Sequence, residues 1–278
     1  MKFAVTVLSP AGYPHSAAVA EIAETLHHAL RRLGHDSVLG TDPGLAGRRH
    51  IVLGSNLLPH YPQPLPSDAI LYNLEQVSPG SQWFQFGLIE IFRRHTLWDY
   101  SERNAAALAA LGVKVARVVP IGYVPELTRI APAPYQDIDV FFAGSLNTRR
   151  RQLLDRIAGL GLKIGGGFGL YGAQRDALVA RAKLVLNAHY FEAKVLEMVR
   201  ISYMLANRLA VLSERGADPA EDAALAEGVA FADYDDLPRR ARELVDAPSE
   251  RFRLAQRGFE LIRERPAVEY LRAALEDA

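Results

Sequence analysis

Cysteine is absent from this sequence. Disulfide staples and thiolate metal sites are thereby excluded, and a reducing compartment suits the chain. Long apolar runs are absent too: none approaches the roughly 18 residues of a membrane span. The run that opens the chain, FAVTVL, stops at Ser9 and Pro10. That is too short for the apolar core of a secretion signal and reads as a first buried strand. Cytoplasmic residence is the expectation, and peripheral contact with a membrane surface stays compatible with the composition. Neither sign of charge is in excess, since 32 Lys and Arg stand against 32 Asp and Glu. Nothing global therefore selects nucleic acid or an anionic membrane as the main partner. The eight histidines form no H-x-H or H-E-x-x-H spacing, so no metal site is expected from them. Neither a G-x-S-x-G elbow nor a phosphate-binding P-loop is present.

What is present is core-forming material. Of 278 residues, 49% are hydrophobic, enough for one large domain or two of about 140 residues each. Strand and helix patterns alternate along the chain. KFAVTVL (2–8) predicts a strand and 16–34 a helix with a glycine stop. Short strands follow at 37–40, 50–55 and 69–75, then a helix over 101–112 with Ser101 as N-cap, and a strand pattern at 115–123. The proline-rich stretch 128–139 reads as a linker. Beyond it, strands at 139–144, 162–166, 183–190, 209–214 and 229–234 alternate with helices at 148–161, 173–182, 195–208, 236–246 and 251–265. This alternation implies an α/β chain of two Rossmann-like domains, 1–130 and 131–265, with parallel sheets facing a central cleft. Ligands on open parallel sheets sit beyond the carboxyl ends of strands, so the residues just after each strand are the candidates.

FFAGSLNTRRR (141–151) ends a strand at Gly144 and starts a helix near Thr148. Free N–H groups at that helix start favour an anion. Gly144 and Ser145 leave room for a phosphate, and Arg149 or Arg150 would add charge-assisted bonds. A solvated basic first turn is the plainer alternative, but cations there oppose the helix dipole and bring the helix nothing. GFGLYG (167–172) fits G-x-G-x-x-G between a strand and a helix, with Glu192 after the next strand. It supports a rival reading as an NAD(P)-binding oxidoreductase. Against that rival, the unit is the second of its domain and glycine runs on through 165–167.

The stretch 195–208 is apolar at nearly every position and should be a buried helix, yet Glu197, Arg200, Asn207 and Arg208 share one side. Glu197 and Arg200 read either as an ordinary i,i+3 pair or as a narrow face looking into a cleft. In the second case Glu197 accepts from sugar hydroxyls and Arg200 meets a phosphate or carboxylate. His189, Tyr190 and Glu192 arrive from the preceding strand end and Glu214 from the following one, a convergence that favours a site. In the first half, Gly12 and His15 follow the first strand, Glu75 follows AILYNL, and Asp99 and Tyr100 lie in LWDYSERN. His15, Glu75 and Asp99 are the candidate bases. Each also reads as a turn or cap residue, Asp99 as the cap of 101–112. Asp137-Ile138-Asp139 spells D-x-D but precedes a strand, the wrong end of a sheet for a nucleotide-bound metal, and reads as linker polarity.

DVFFAGSLNTRRR, YGAQRDALVARAKLVLNAHY and EMVRISYMLANRLAVLSE followed by FADYDDL are similar to the nucleotide-sugar half of the GT-B superfamily of glycosyltransferases. Short bacterial members, including spore-coat CgeB-type proteins, are the nearest in pattern. LYNLEQV and LWDYSERN resemble the acceptor half, so the resemblance spans the chain and is strongest in its second half. It implies transfer of a sugar from a nucleotide diphosphate sugar to a glycan, lipid or protein acceptor, with no cofactor and no metal. It implies donor ribose on Glu197 and a donor side that includes Gly144, Ser145, Arg149, Arg150, His189, Tyr190, Glu192 and Arg200. Gly12 and Tyr100 would lie on the acceptor side, with the base among His15, Glu75 and Asp99. PAVEYLRAALEDA (266–278) resembles a closing helix that crosses back to the first domain. Many retaining members carry two glutamates eight apart. The earlier position here is His189, so retention and inversion both stay open. A non-catalytic protein of the same fold that binds a nucleotide sugar or a glycan is the remaining rival.

Overall fold

The computed structural model describes every residue except 62, 63, 79, 80, 82, 277 and 278, so the last two positions of the predicted closing helix lie outside the described residues. The chain divides into two compact units: Met1–Glu126 together with the chain from Pro266 onward, and Leu127–Arg265.

The first unit runs β1 (Lys2–Val7), α1 (Ala20–Arg32), β2 (Asp36–Gly40), β3 (Arg49–Leu53), β4 (Ile70–Asn73), α2 (Phe86–Arg94), β5 (Thr96–Asp99), α3 (Glu102–Ala110) and β6 (Arg117–Val118). Its strands form one parallel sheet in the order β2-β1-β3-β4-β5-β6. The order reverses direction between β1 and β3. Central strands read as continuous apolar runs because both faces are covered: Ile51, Val52, Leu53, Ile70 and Leu71 have no exposed surface.

The second unit runs β7 (Ile138–Ala143), α4 (Thr148–Gly159), β8 (Ile164–Gly167), α5 (Gly172–Ala180), β9 (Ala182–Asn187), α6 (Met198–Ala206), β10 (Val211–Glu214), α7 (Pro219–Leu225), β11 (Ala230–Ala232), α8 (Leu237–Asp246) and α9 (Pro248–Arg263). Its strands are again all parallel, in the order β11-β10-β9-β7-β8. Val140, Phe142, Leu184, Leu186 and Leu212 carry its core against Leu153 and Ile157 of α4 and Leu237 and Leu244 of α8. The closing helix α10 (Ala267–Glu276) packs on α1 of the first unit, burying Ala267, Leu271 and Ala274.

The predicted elements are largely present, with three differences. The helix expected from residue 16 begins as a 3₁₀ turn, Pro14–Val19, before α1. Helices α2 and α7 are not expected from the sequence; α2 has Gly87 near its start and only nine residues. The helix expected over 195–208 begins at Met198, with Glu197 as its N-cap. The unit boundary also falls earlier than the linker composition suggests. Buried Asn207, just past α6, accepts from the N–H groups of Arg129 and Ile130 at 2.7 Å each and donates to the Leu127 carbonyl at 2.9 Å. Residues 127–130 therefore belong to the second unit.

Candidate functional site

In the second unit the strand order reverses between β7 and β9. The loops leaving adjacent strands diverge there and open a crevice at the carboxyl edge, which is where open α/β sheets take ligands. The chain after β7 is Gly144 to Asn147, leading into α4. The chain after β9 is Ala188 to Glu197, leading into α6.

Asn187, the last residue of β9, is the hub. Its side-chain oxygen accepts from Arg200 Nη1 at 2.9 Å. Its amide nitrogen donates to Glu197 Oε2 at 2.8 Å and lies 3.0 Å from Ser213 Oγ. Glu197 and Arg200 are thus joined through Asn187, rather than paired directly across one turn of helix. The Glu197 carboxylate lies 3.0 Å from His189 Nδ1 through Oε2 and 3.6 Å from Arg150 Nη2 through Oε1. Burial by itself would push this carboxyl up. His189, Arg200 and Asn187 outweigh burial and hold it down at about 2. Arg200 has its guanidinium lowered by burial and partly restored by Glu197. Among the described residues its Nη1 alone donates to the protein, leaving Nε and Nη2 free. Nη2 lies 3.1 Å from where a Cβ on Gly144 would stand, and Arg150 Nη1 lies 3.3 Å from it. With φ at +148°, Gly144 lets the backbone pass close to both cations where a side chain would crowd them.

The neighbouring charges are more fully engaged. Arg149 grips Glu214 with both terminal nitrogens, one at 2.7 Å, and stacks on Tyr234 at 3.9 Å. Lys194 reaches the same carboxylate at 3.1 Å. Arg150 is buried: Nε donates to the Ala188 carbonyl and Nη1 to the Ser145 carbonyl, both at 2.9 Å. Burial first and Arg200 second lower it to about 10. Arg150 therefore staples the two crevice loops together, and Arg149 is held in an ion pair. Neither presents the free phosphate-binding fork expected from the sequence. The N-terminus of α4 is capped by Asn147, which accepts from the Arg150 N–H at 2.9 Å. Ser145 is exposed beside it.

Tyr190 is 38% exposed and sits 5.2 Å from the Arg150 guanidinium. Glu192 is exposed and joins none of the cluster's hydrogen bonds or ion pairs among the described residues. GFGLYG leaves β8, an edge strand away from the reversal. The glycine run before it serves packing: a Cβ on Gly166, at φ +110°, would stand 2.0 Å from the Phe142 carbonyl oxygen. Asn207 and Arg208, expected on the polar face with Glu197, lie at the far end of α6, where Asn207 holds the linker and Arg208 stacks on Phe259 at 3.7 Å. The D-x-D pair is spent locally, Asp137 on Arg181 and Asp139 on Lys183, at the amino end of β7. Sequence reasoning missed Asn187 and Lys194, and placed Ser213 at a carboxyl edge without giving it a partner. Asn187 had a signal, as the polar residue that ends an otherwise apolar strand.

In the first unit the candidate bases separate. Asp99 has no exposed surface. Its oxygens accept from Asn73 Nδ2 at 2.6 Å, the Ser101 N–H at 2.9 Å and Asn104 Nδ2 at 3.0 Å. It is a covered anchor at the start of α3, not a base that can meet substrate, although burial lifts it to about 7. Tyr100, expected on the acceptor side, is buried as well. Glu75 differs. Its backbone is fixed, the carbonyl accepting from Asn73 Nδ2 at 2.9 Å and Asn104 Nδ2 at 3.0 Å. Its part-buried carboxyl has no hydrogen bond or ion pair among the described residues, and burial raises it to about 7. The Glu75 charge is felt by Tyr13, whose hydroxyl is raised by burial and then by Glu75. His15 stands edge-on to Tyr13 at 5.3 Å, and exposed Gly12 turns the same loop at φ +77°.

No protein-family model matches the chain. An uncharacterised protein of Acanthamoeba polyphaga mimivirus is 30% identical over 154 residues, covering 52% of this chain and 48% of that protein. The chain thus spans about half the length of this curated relative. Solved structures match over much more of it. A T4 phage BGT mutant in complex with UDP-glucose superposes with a TM-score of 0.63 at 13% identity, over 100% of this chain and 99% of that one. Anabaena HepE in complex with UDP and glucose gives 0.60 at 13%, over 99% and 98%. TarM gives 0.61 at 13%, over 83% of this chain and 54% of that one. The chain has the fold of these glycosyltransferases, GT-B, with two parallel α/β units in series.

Proposed function

We propose that the chain is a glycosyltransferase whose second unit binds a nucleoside diphosphate sugar. One observation carries this reading. At the β7/β9 reversal, the free edge of Arg200 lies against the Gly144 backbone, next to the start of α4 and the ionised Glu197. A diphosphate needs donors of this kind, and a ribose needs a fixed carboxylate to accept from its hydroxyls. Four cationic side chains (Arg149, Arg150, Lys194 and Arg200) surround two carboxylates, Glu197 and Glu214, an excess of positive charge that suits an anion. Structures of the same fold hold UDP with glucose and UDP-glucose, which supports a nucleotide sugar as the ligand.

In the reaction, an acceptor oxygen bonds to the anomeric carbon as the bond to the diphosphate breaks. Arg200 and the backbone N–H groups at the start of α4 stabilise the charge that gathers on the departing diphosphate, and this is the main contribution. On the acceptor side Glu75 takes the hydroxyl proton. It is the first unit's one candidate base whose carboxyl is neither covered nor committed to a partner among the described residues. Direct displacement of this kind inverts the anomeric centre. No divalent ion is required, because the protein's own cations supply the charge.

A thermal-shift screen against UDP, GDP, TDP, CMP, NAD and NADP, without metal and then with Mg²⁺, tests the reading. One nucleoside diphosphate should raise the midpoint, since a ligand that binds only the native state stabilises it. Arg200→Ala should weaken binding roughly ten- to a hundredfold, the scale of one lost charge-assisted bond, and Glu197→Ala should abolish the shift. A shift with NAD or NADP alone would sink the transferase reading. Binding without slow donor hydrolysis would leave a non-catalytic binding protein.

A further inference from the structure

The hydrogen-bond chain through the donor site fixes the protonation of one residue that sequence and fold leave open. Arginine can only donate, so Arg200 Nη1 requires that the Asn187 atom it meets be the amide oxygen. The Asn187 nitrogen then points at Glu197 Oε2, which must accept. The same oxygen lies 3.0 Å from His189 Nδ1. On the other side of the ring, His189 Nε2 lies 3.1 Å from the Arg215 carbonyl oxygen, which also can only accept. Both ring nitrogens therefore face acceptors. The contact at Nδ1 is bent away from ideal hydrogen-bond geometry, but Nδ1 is sealed from solvent and no water can meet a lone pair there. A neutral ring would leave one lone pair pressed against either a carboxylate or a carbonyl.

We infer that His189 is a doubly protonated positioning residue, an imidazolium that holds the Glu197 carboxylate at the start of α6, and that nucleotide-sugar binding at this site depends on that proton. The inference rests on the donor-site reading above. Other charges face the ring from every side. Arg149 and Arg150 come from α4, Arg149 donating to the His189 carbonyl at 3.2 Å. Glu214 comes from β10 and accepts from the His189 N–H at 3.1 Å. Lys194 meets Glu214 from the loop before α6, and Glu197 and Arg200 belong to α6 and its cap. Burial lowers the ring, but Glu197 first and then Glu214 more than restore it, so its net shift is upward. A bound diphosphate adds negative charge to the cluster and favours the imidazolium further. Ligand and proton therefore reinforce one another.

Two measurements decide it. The first is ¹⁵N NMR of the histidine ring nitrogens in ligand-free wild-type protein from pH 6 to 10, with His189 assigned by its loss in His189→Gln. Both nitrogens should be protonated at pH 7, and a neutral tautomer there would overturn the inference. The second is UDP-glucose affinity over the same range, in wild type and in His189→Gln, whose ratio cancels titration of the ligand itself. The wild-type advantage should fall by up to tenfold per pH unit above the ring's midpoint, the slope for one linked proton. A ratio that stays flat through the midpoint refutes the dependence. Should His189→Gln fail to fold, His189→Asn takes its place for both the assignment and the affinity ratio. Wild-type protein that binds no UDP-glucose at pH 6, while the ring titrates as expected, would tell against the donor-site reading and not against the charged pair.

Discussion

Glu75 and Asp99 show how two carboxyls with similar environments take different work. Burial lifts each to about 7. Asp99 is surrounded by Asn73, Asn104 and the Ser101 N–H, and those bonds anchor the loop that carries Glu75. Glu75 has a fixed backbone and a part-buried side chain with no hydrogen bond or ion pair among the described residues, which fits the proposed role of base. Because its folded value lies above the ordinary 4.5, the folded state holds the proton longer than the unfolded chain. Its burden on stability is therefore absent at low pH, grows as pH rises from 4.5 towards 7, and is complete above that. Glu75→Gln removes the charge without breaking a side-chain hydrogen bond among the described residues. Denaturant titrations should find the variant more stable than wild type at pH 8 and equal to it near pH 4. Its transfer rate should drop by about a hundredfold or more, as for loss of a general base. A variant that is both less stable and fully active would remove Glu75 from the mechanism.

At the scale of elements, α6 serves two ends. Its N-terminal cap and first turn bring Glu197 and Arg200 to Asn187, while Asn207 just past its C-terminus fastens residues 127–130. The middle is buried, with Ile201, Tyr203, Met204 and Leu205 at most 2% exposed. The helix is largely apolar because it is buried, and the charged Glu197 and Arg200 and the amide of Asn207 fall at or next to its ends, where they find partners in Asn187, His189 and the 127–130 backbone. Asn207→Ala leaves two backbone N–H groups and two carbonyls, those of Leu127 and Tyr203, without their bonds to this side chain. Unmade buried bonds of this kind cost about 1–3 kcal/mol each when nothing replaces them. Part of that loss is recovered by water, so a fall of about 3 kcal/mol in unfolding free energy is expected from urea titration. Nucleotide affinity should change less than in Arg200→Ala.

At the scale of the molecule, the chain leaves the second unit at Arg265 and closes on the first, where α10 lies on α1. Leu271 is 1% exposed in that contact. Both tryptophans, Trp83 and Trp98, belong to the first unit, so intrinsic tryptophan fluorescence reports on that unit alone. Leu271→Ala should lower the unfolding free energy seen by fluorescence by about 2–5 kcal/mol, the usual loss for a leucine truncated in a core. An unchanged fluorescence transition would mean that α10 contributes nothing to the first unit's stability. No described helix is long and apolar enough to cross a membrane.

Much of this architecture is legible in the chain read by itself. Period-two and continuous apolar runs mark the strands, 3.6-residue spacing marks the longer helices, and their alternation requires parallel sheets, because a crossover helix returns each strand in the same direction. The carboxyl-edge rule also brings Gly144, His189, Glu197 and Arg200 into consideration before any contact is known. Short elements such as α2 escape because an apolar run like FGLIEIF reads as a short strand as readily as a helix. What the sequence does not contain is which partner each side chain meets. Arg149 and Arg150 look free in a row of arginines, yet Glu214, 65 residues further on, takes the first, and the Ala188 carbonyl takes the second. Asp99 looks like a base and is covered; Glu192 lies in the crevice loop yet joins none of the cluster's bonds among the described residues. Burial, hydrogen-bond partners and the proton on His189 depend on groups far apart in the chain. Only the folded packing brings them to 3.0–3.1 Å of one another and removes the water that would otherwise stand between them.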